Sequence, residues 1–339
     1  MSQNLLKPVC RSKPIGSVAV LARSLGMSTE QLLSLSARAS DLYRLAKPIL
    51  KADGGIRQPY DAKPELKRVL TRLKRDLFEK VEYPKYLTGS IKGRDYKANA
   101  SLHSGKAMLI CEDIKKFFPS VKAAYIFQVY LRFFDMHPEV ATILTRLTTK
   151  NGVLPEGAAT SSYLANLVMF EWEPKLQADL AARGVTYSRY VDDIVMSMER
   201  VFSPQEQWAC TRRVYAMLPK IGLQPKRSKH EVFHASEPML VTKLVVNRKP
   251  SLTKKQRQTI RADVHRAVRR AAEEPSAEVA GLLGKVAGKV GLLSRFHPTE
   301  AARLKTTLEA ARAGLTVRLT SDADAAPTTE SLPDPGSPT

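Results

Sequence analysis

Apolar positions recur at helical intervals through residues 17–50, which are predicted to be helical. Ser28 and Gln31 supply a start signal there, a hydroxyl that caps the helix and an amide that reaches back to it. Residues 51–60, around Gly54-Gly55, are expected to form a turn and hairpin. Over 65–81, Leu66, Val69, Leu70, Leu73 and Leu77 share one helical face and basic residues occupy the other. The pattern then changes. Residues 107–113 run apolar into Asp113 as a strand, and 122–134 and 137–148 read as helices. A turn over 154–162 leads into one long helix, 161–182. Residues 185–191 and 194–198 are β-branched and aromatic runs separated by Asp192-Asp193, the signature of a hairpin. A helix over 204–217, a turn and strand over 222–234 and a β-prone stretch over 241–247 follow. Three further helices are predicted at 253–272, 279–293 and 298–313. Residues 321–339 are rich in Pro, Ser, Thr and Asp, contain no Lys or Arg, lack a period and are expected to be disordered. No internal repeat is evident.

Composition adds one strong constraint. With 339 residues and 43% hydrophobic content the chain can bury a large core, as ordinary globular proteins do. Its net charge of +21 is not ordinary. A small neutral substrate needs no such field, whereas phosphate polyanions do, because Lys and Arg displace condensed counterions. Three cysteines without CxxC spacing argue against a disulfide framework and a structural zinc site. No stretch is long enough for a signal-peptide core or a membrane span, which fits a cytoplasmic protein without membrane contact.

Candidate chemistry centres on two stretches, ICEDIKKFFPSV around Asp113 and YSRYVDDIVMS around Asp192 and Asp193. Paired carboxylates at a hairpin tip repel each other and raise each other's pKa, and a divalent cation relieves that repulsion. Alone, Asp-Asp is also a common solvated turn. The company of Asp113 changes the reading toward a metal site. Mg²⁺ favours hard oxygen ligands and shares its shell with substrate phosphates.

These residues resemble the palm of reverse transcriptases. Tyr-Val-Asp-Asp lies at a strand turn, Asp113 is followed by the aromatic Phe118, and the intervening LPEGAATSSYLAN is similar to that family's LPQGxxTSxxLxN block. Within the family the chain looks most like the bacterial retron and retron-like enzymes, through Asn99-Ala-Ser-Leu-His103, Phe-Phe-Pro-Ser at 117–120 and VTKLVVN at 241–247. The resemblance spans about residues 25 to 310. It implies an α+β right-hand polymerase: an N-terminal helical segment (1–50), fingers (51–106), an antiparallel-sheet palm (107–250), a helical thumb (251–318) and a tail (319–339).

It also implies roles. Asp113, Asp192 and Asp193 would hold two Mg²⁺ ions, and dNTPs would be the substrates. Lys51 and Arg57 would grip the triphosphate, and Phe118 would exclude a ribose 2′-hydroxyl. Gly157 would let the backbone approach the nascent base pair, and Lys229, in GLQPKRSK, would protonate the leaving pyrophosphate. Asn99 and His103 fall in a region that contacts RNA or primer in retron enzymes, the alternative being a local backbone cap. The basic helix at 253–272, with seven Lys or Arg between Lys254 and Arg270 against Asp263, would lie along an RNA–DNA duplex without reading its sequence.

The chain departs from the family at Glu156 (usually Gln), Ala159 (usually Pro), Lys226 (usually Asn) and Lys243 (Gly in the retron VTG). Because Lys does not readily take the positive φ of a Gly, the backbone at Lys243 is expected to differ. The implied function is RNA-directed DNA synthesis from a structured noncoding RNA in antiphage defence, with an effector or toxin protein as a further partner. A template-independent abortive-infection polymerase and a non-catalytic RNA-binding scaffold are the alternatives. A group II intron maturase is disfavoured, since little chain follows the thumb and no His cluster is evident.

Overall fold

Four antiparallel strands carry the Asp residues singled out above: β1 (Met108–Asp113), β2 (Val185–Tyr190), β3 (Asp193–Met198) and β4 (Glu231–His234). Their spatial order is β4-β1-β3-β2. Register sets Asp113 opposite Asp193, and Tyr190 opposite Asp193 on the other side. The strands form where the apolar runs predict them, because Met108, Ile110, Tyr187, Met196 and Met198 enter one core with Leu164, Leu167, Leu180 and Val214 from the covering helices.

The computed structural model describes residues 6–50 and 54–324, with side chains through residue 318. It divides into two units, Met1–Pro250 and Ser251–Thr339. In the first, helices Val18–Leu25, Thr29–Ala37 and Pro64–Asp76 precede the sheet. Ser28 and Gln31 make the expected capping box. Beyond Ala37, however, the chain leaves the helical state predicted to residue 50. A 3₁₀ turn, Ala39–Leu42, leads to strand Tyr43–Leu45, which pairs with Tyr60–Ala62. The partner that wins these backbone groups lies too far along the chain for a local pattern to reveal it.

The single helix expected over 161–182 is two, Ser161–Leu167 and Glu173–Ala181. Pro174 explains the break. It lacks an N–H and is tolerated only in a first turn, which is its place in the second helix. The helix expected over 122–134 also changes character, continuing from Ala123–Gln128 as a π turn, Val129–Phe133.

Leu240–Val241 and Leu244–Val245 form a hairpin whose central residues, Thr242 and Lys243, have φ of 47° and 67°. The expectation of an altered backbone at Lys243 is therefore wrong. Lys243 adopts the left-handed conformation that a two-residue hairpin turn demands. Thr242 adds a bond from its Oγ1 to the Tyr96 carbonyl (3.0 Å).

The second unit packs three helices together, Lys254–Glu273, Ala277–Ser294 and Pro298–Asp324. A Thr253–Gln256 capping box starts the first. The third runs past the predicted end at 313 and through 321–324, which were expected to be disordered. Ala301, Leu308 and Leu315, spaced by seven, are buried and carry the helix onward against its neighbours.

Candidate active site

The β2–β3 hairpin turns through two residues, Val191 and Asp192, between the paired Tyr190 and Asp193. Val191 has φ of 60°, the left-handed value required at the first central position of such a turn. The turn is tied to β1 by a bond from the Ile114 N–H to the Asp192 carbonyl (3.0 Å). Asp192 occupies the tip, and Asp193 opens β3 beside Asp113.

The three carboxylates share one electrostatic environment. Burial raises the pKa of Asp193 to about 6, helped by the charges of Asp192 and Asp113 and opposed by Lys229 and Lys243. Asp192 is also raised, by burial and then Asp113, against its own backbone hydrogen bond, Lys229 and Arg57. Lys229, on a 3₁₀ turn (Arg227–Lys229), donates to the Asp113 carboxylate. Burial acts to lower its pKa, but Asp113, Asp193 and Asp192 together raise it, so it keeps its proton.

A cleft of about 1280 Å³ opens over this group. Asp113, Asp192, Lys229, Phe118 and Arg57 all line it. Phe118 lies on the single turn Phe117–Ser120 and is largely buried against Phe117 (ring centroids 5.9 Å apart). Lys51 lies outside the described residues. Arg57 is engaged by Glu156 in an ion pair, a partnership the sequence did not suggest. Gly157 has φ of 100°, and a Cβ there would come within 2.8 Å of the Tyr60 carbonyl. The need for glycine is thus met within the chain itself, where residue 157 passes the strand Tyr60–Ala62, rather than only against a base pair.

Among the described residues no three His, Cys, Asp or Glu are gathered into a ready metal cage. The donor chemistry nevertheless suits a hard cation. Three carboxylates offer oxygen ligands, and the raised pKa values of Asp192 and Asp193 mark negative charge that a cation would neutralise.

Asn99 and His103 are fully buried, so their side chains do not meet RNA or primer as the retron resemblance suggests, nor are they a mere local cap. Asn99 Oδ1 accepts from Thr88 and Ser188 (2.8 Å each). His103 bridges Ser197 and Ser188 (2.7 Å each), joining β3 to β2. Burial, then Lys106, lowers its pKa to about 3 and keeps the ring neutral.

Three features escaped the sequence reading. Glu112, buried on the opposite face of β1 from Asp113, accepts from Tyr215 Oη (2.9 Å) and pairs with His230 Nδ1 (2.6 Å). Lys243 adds positive charge near Asp193. Arg189 is fully buried two residues before Val191 and grips Glu173. An arginine inside a β run otherwise free of charge was the one signal available for the last.

The sheet thus carries one carboxylate at the end of β1 and two at the β2–β3 hairpin. The family profile Reverse transcriptase (RNA-dependent DNA polymerase) matches residues 49–262. Retron Se72 reverse transcriptase of Salmonella heidelberg is 32% identical, over 89% of this chain and 81% of its own length. Retron Ec48 reverse transcriptase of Escherichia coli is 29% identical over 78% of this chain and 68% of its own. Retron Ec86 reverse transcriptase, also from Escherichia coli, is 26% identical over 72% and 76%. The chain belongs to the retron reverse transcriptases and is an RNA-directed DNA polymerase of right-hand fold. No described helix is long and apolar enough to cross a membrane.

Proposed function

We propose that the chain copies a cognate structured noncoding RNA into cDNA, with Asp113, Asp192 and Asp193 as the metal-binding carboxylates, in defence against phage. The observation that carries the reading is that Asp113 and Asp192 line one cleft while Asp193 pairs across the sheet with Asp113, the Asp192 and Asp193 pKa values both being raised. Two Mg²⁺ ions held by these carboxylates would supply nucleophile activation and charge neutralisation. The remaining work belongs to the protein. Lys229 keeps its proton beside Asp113 and is suited to donate it to the departing pyrophosphate. Arg57 offers planar N–H donors for the triphosphate once it parts from Glu156. Phe118 presents a ring on the cleft wall that favours a deoxyribose.

The basic helix Lys254–Glu273 belongs to the same reading, as a surface for the backbone of a template–primer duplex, and residues 51–106, 107–250 and 251–318 as fingers, palm and thumb. The net charge of +21 and the retron relatives support an RNA partner. An effector or toxin protein acting with the polymerase completes the defence proposal.

Sequencing the nucleic acid that co-purifies with the wild type and with Asp192→Ala/Asp193→Ala tests this. A discrete structured RNA with complementary cDNA, the cDNA missing from the variant, is the expected result. Untemplated DNA, or cDNA that persists in the variant, would refute it. Phage plating on cells carrying either protein, with the neighbouring genes present, tests the defensive role. Protection should disappear with the two carboxylates.

A further inference from the structure

Arg189 has no place in the chemistry so far, yet its guanidinium is fully buried. Its Nε and Nη2 bind the two Glu173 oxygens (2.6 and 2.8 Å). Nη2 also reaches the Asn166 carbonyl (3.1 Å), and Nη1 reaches Asn166 Oδ1 (3.3 Å). One donor is directed elsewhere: Nη1 binds the carbonyl of Val191 (3.0 Å).

Val191 is the strained residue of the Asp-Asp turn. A β-branched side chain at φ of 60° is a true outlier. Such a conformation costs on the order of 1–3 kcal/mol and persists only where its surroundings over-determine it. Those surroundings are visible. Gly89 lies against the other side of the same residue, where a Cβ would sit 2.3 Å from the Val191 nitrogen. Asn166 Nδ2 fixes Gly89 through its carbonyl (2.8 Å). Asn166 therefore joins the two groups that confine Val191, Arg189 and Gly89. A buried ion pair is weak evidence for stability, since apolar replacements of similar volume are often as stable. The aim of this one at the backbone beside Asp192 calls for another account.

We propose that Arg189, braced by Glu173 and Asn166, is a positioning residue that holds Val191 left-handed and so fixes Asp192 and Asp193 opposite Asp113. The proposal rests on the reading of those carboxylates as the polymerase's metal-binding centre. Arg189 acts through the backbone of Val191 and touches no substrate.

The test is a mutant cycle between Arg189→Met/Glu173→Gln and Val191→Gly. The paired change removes both buried charges. It keeps an amide oxygen at position 173 to accept from Tyr187 Oη, which donates to Glu173 here (2.7 Å). Glycine at 191 takes positive φ without being held. Three quantities are read for each purified protein: melting temperature, kcat and KM for dTTP on poly(rA)/oligo(dT), and half-saturation by Mn²⁺ from the spin-resonance signal of the free ion. In the Val191 background, the paired change should lower kcat about 10- to 100-fold and weaken Mn²⁺ binding by a similar factor, as loss of a metal site's outer supports does, with KM little changed. In the Val191→Gly background, its effect should shrink to about threefold or less, because the backbone no longer needs holding.

A folded paired variant with wild-type kcat and Mn²⁺ binding overturns the proposal. So does a loss of equal size in both backgrounds. Should the paired variant not fold, Gly89→Ala presses the same turn from the other side: a fall in kcat with normal melting supports the proposal, and unchanged kcat overturns it. Asp192→Ala/Asp193→Ala runs in the same assay. Full incorporation by that control would defeat the reading of the site itself, a result separate from any outcome of the cycle.

Discussion

The β2–β3 hairpin and the C-terminal helices both rely on charge, and they use it in opposite ways. Behind the hairpin, Arg189, Glu173 and His103 are buried, and each is satisfied by side chains from distant segments. On helix Lys254–Glu273 most charges are exposed and several pairs are local and loose: Arg266 with Asp263 (3.7 Å), Arg269 with Glu273 (3.6 Å), Arg270 with Glu274 (3.3 Å). Arg257 and Asp263 are held closely by neighbouring helices, through Glu300 and Lys289 (2.6 Å each). In a low-dielectric interior an unmatched charge is costly, so each partner is specified. In water each pair contributes little, and what matters is the summed field. The hairpin is therefore expected to fail at single residues and the helix only by accumulation.

The largest expected effect is on stability. Glu173→Leu alone leaves the Arg189 charge buried and unpaired, which should cost about 3–5 kcal/mol in urea unfolding. A loss below about 1 kcal/mol would put the hairpin in the same class as the helix and erase the contrast.

Next comes activity. Asp192→Asn should lower dNTP incorporation by more than about 100-fold, exceeding the effect of losing an outer support of a metal site. Its unfolding should be close to that of the wild type, since a repelling charge is removed.

A pH response comes third. Asp193 titrates at about 6 in the folded chain against an ordinary 3.8, so the folded state binds the proton more tightly. The metal-free protein should therefore become more stable as pH falls from about 7.5 through 6, and lose that gain as pH rises again. Asp193→Asn should flatten the dependence. Melting curves without divalent ions across this range provide the check.

Smaller still is the Arg57–Glu156 pair, which is partly exposed. Glu156→Gln frees Arg57 for phosphate and should lower the KM for dNTP about two- to fivefold, the scale of an exposed ion pair. A raised KM would mean that Glu156 serves the nucleotide directly. Smallest are Arg261→Ala, Arg266→Ala, Arg269→Ala and Arg270→Ala, each expected to change stability by less than about 0.5 kcal/mol. Combined, they should flatten the salt dependence of duplex binding by a slope of up to about 3.6, near 0.9 for each phosphate left without its cation.

Much of this molecule was legible in its sequence. Strand 108–113 follows from its apolar run, 185–190 and 193–198 from runs rich in β-branched, aromatic and apolar residues, and the helix Pro138–Thr148 from its apolar period, because each buries its own face. The Asp-Asp turn declares itself as charge where folding alone gains nothing. Failures occurred where a pairing partner, rather than the residue's own propensity, decided the matter. Residues 43–45 became a strand because 60–62 lie alongside, and Lys243 took a left-handed turn because its hairpin required one.

The sequence by itself determined the apolar periods, the strong positive field, the order of the carboxylate blocks and hence the polymerase class. All of these are properties of neighbouring residues or simple sums, to which local propensity and net charge respond. Tertiary structure alone decided that Asn99 and His103 face inward, that Glu156 holds Arg57, and that Arg189 reaches around to the carbonyl of Val191. The reason is physical. A buried polar group must find its partner wherever the fold brings one, and that partner's distance along the chain leaves no periodic trace.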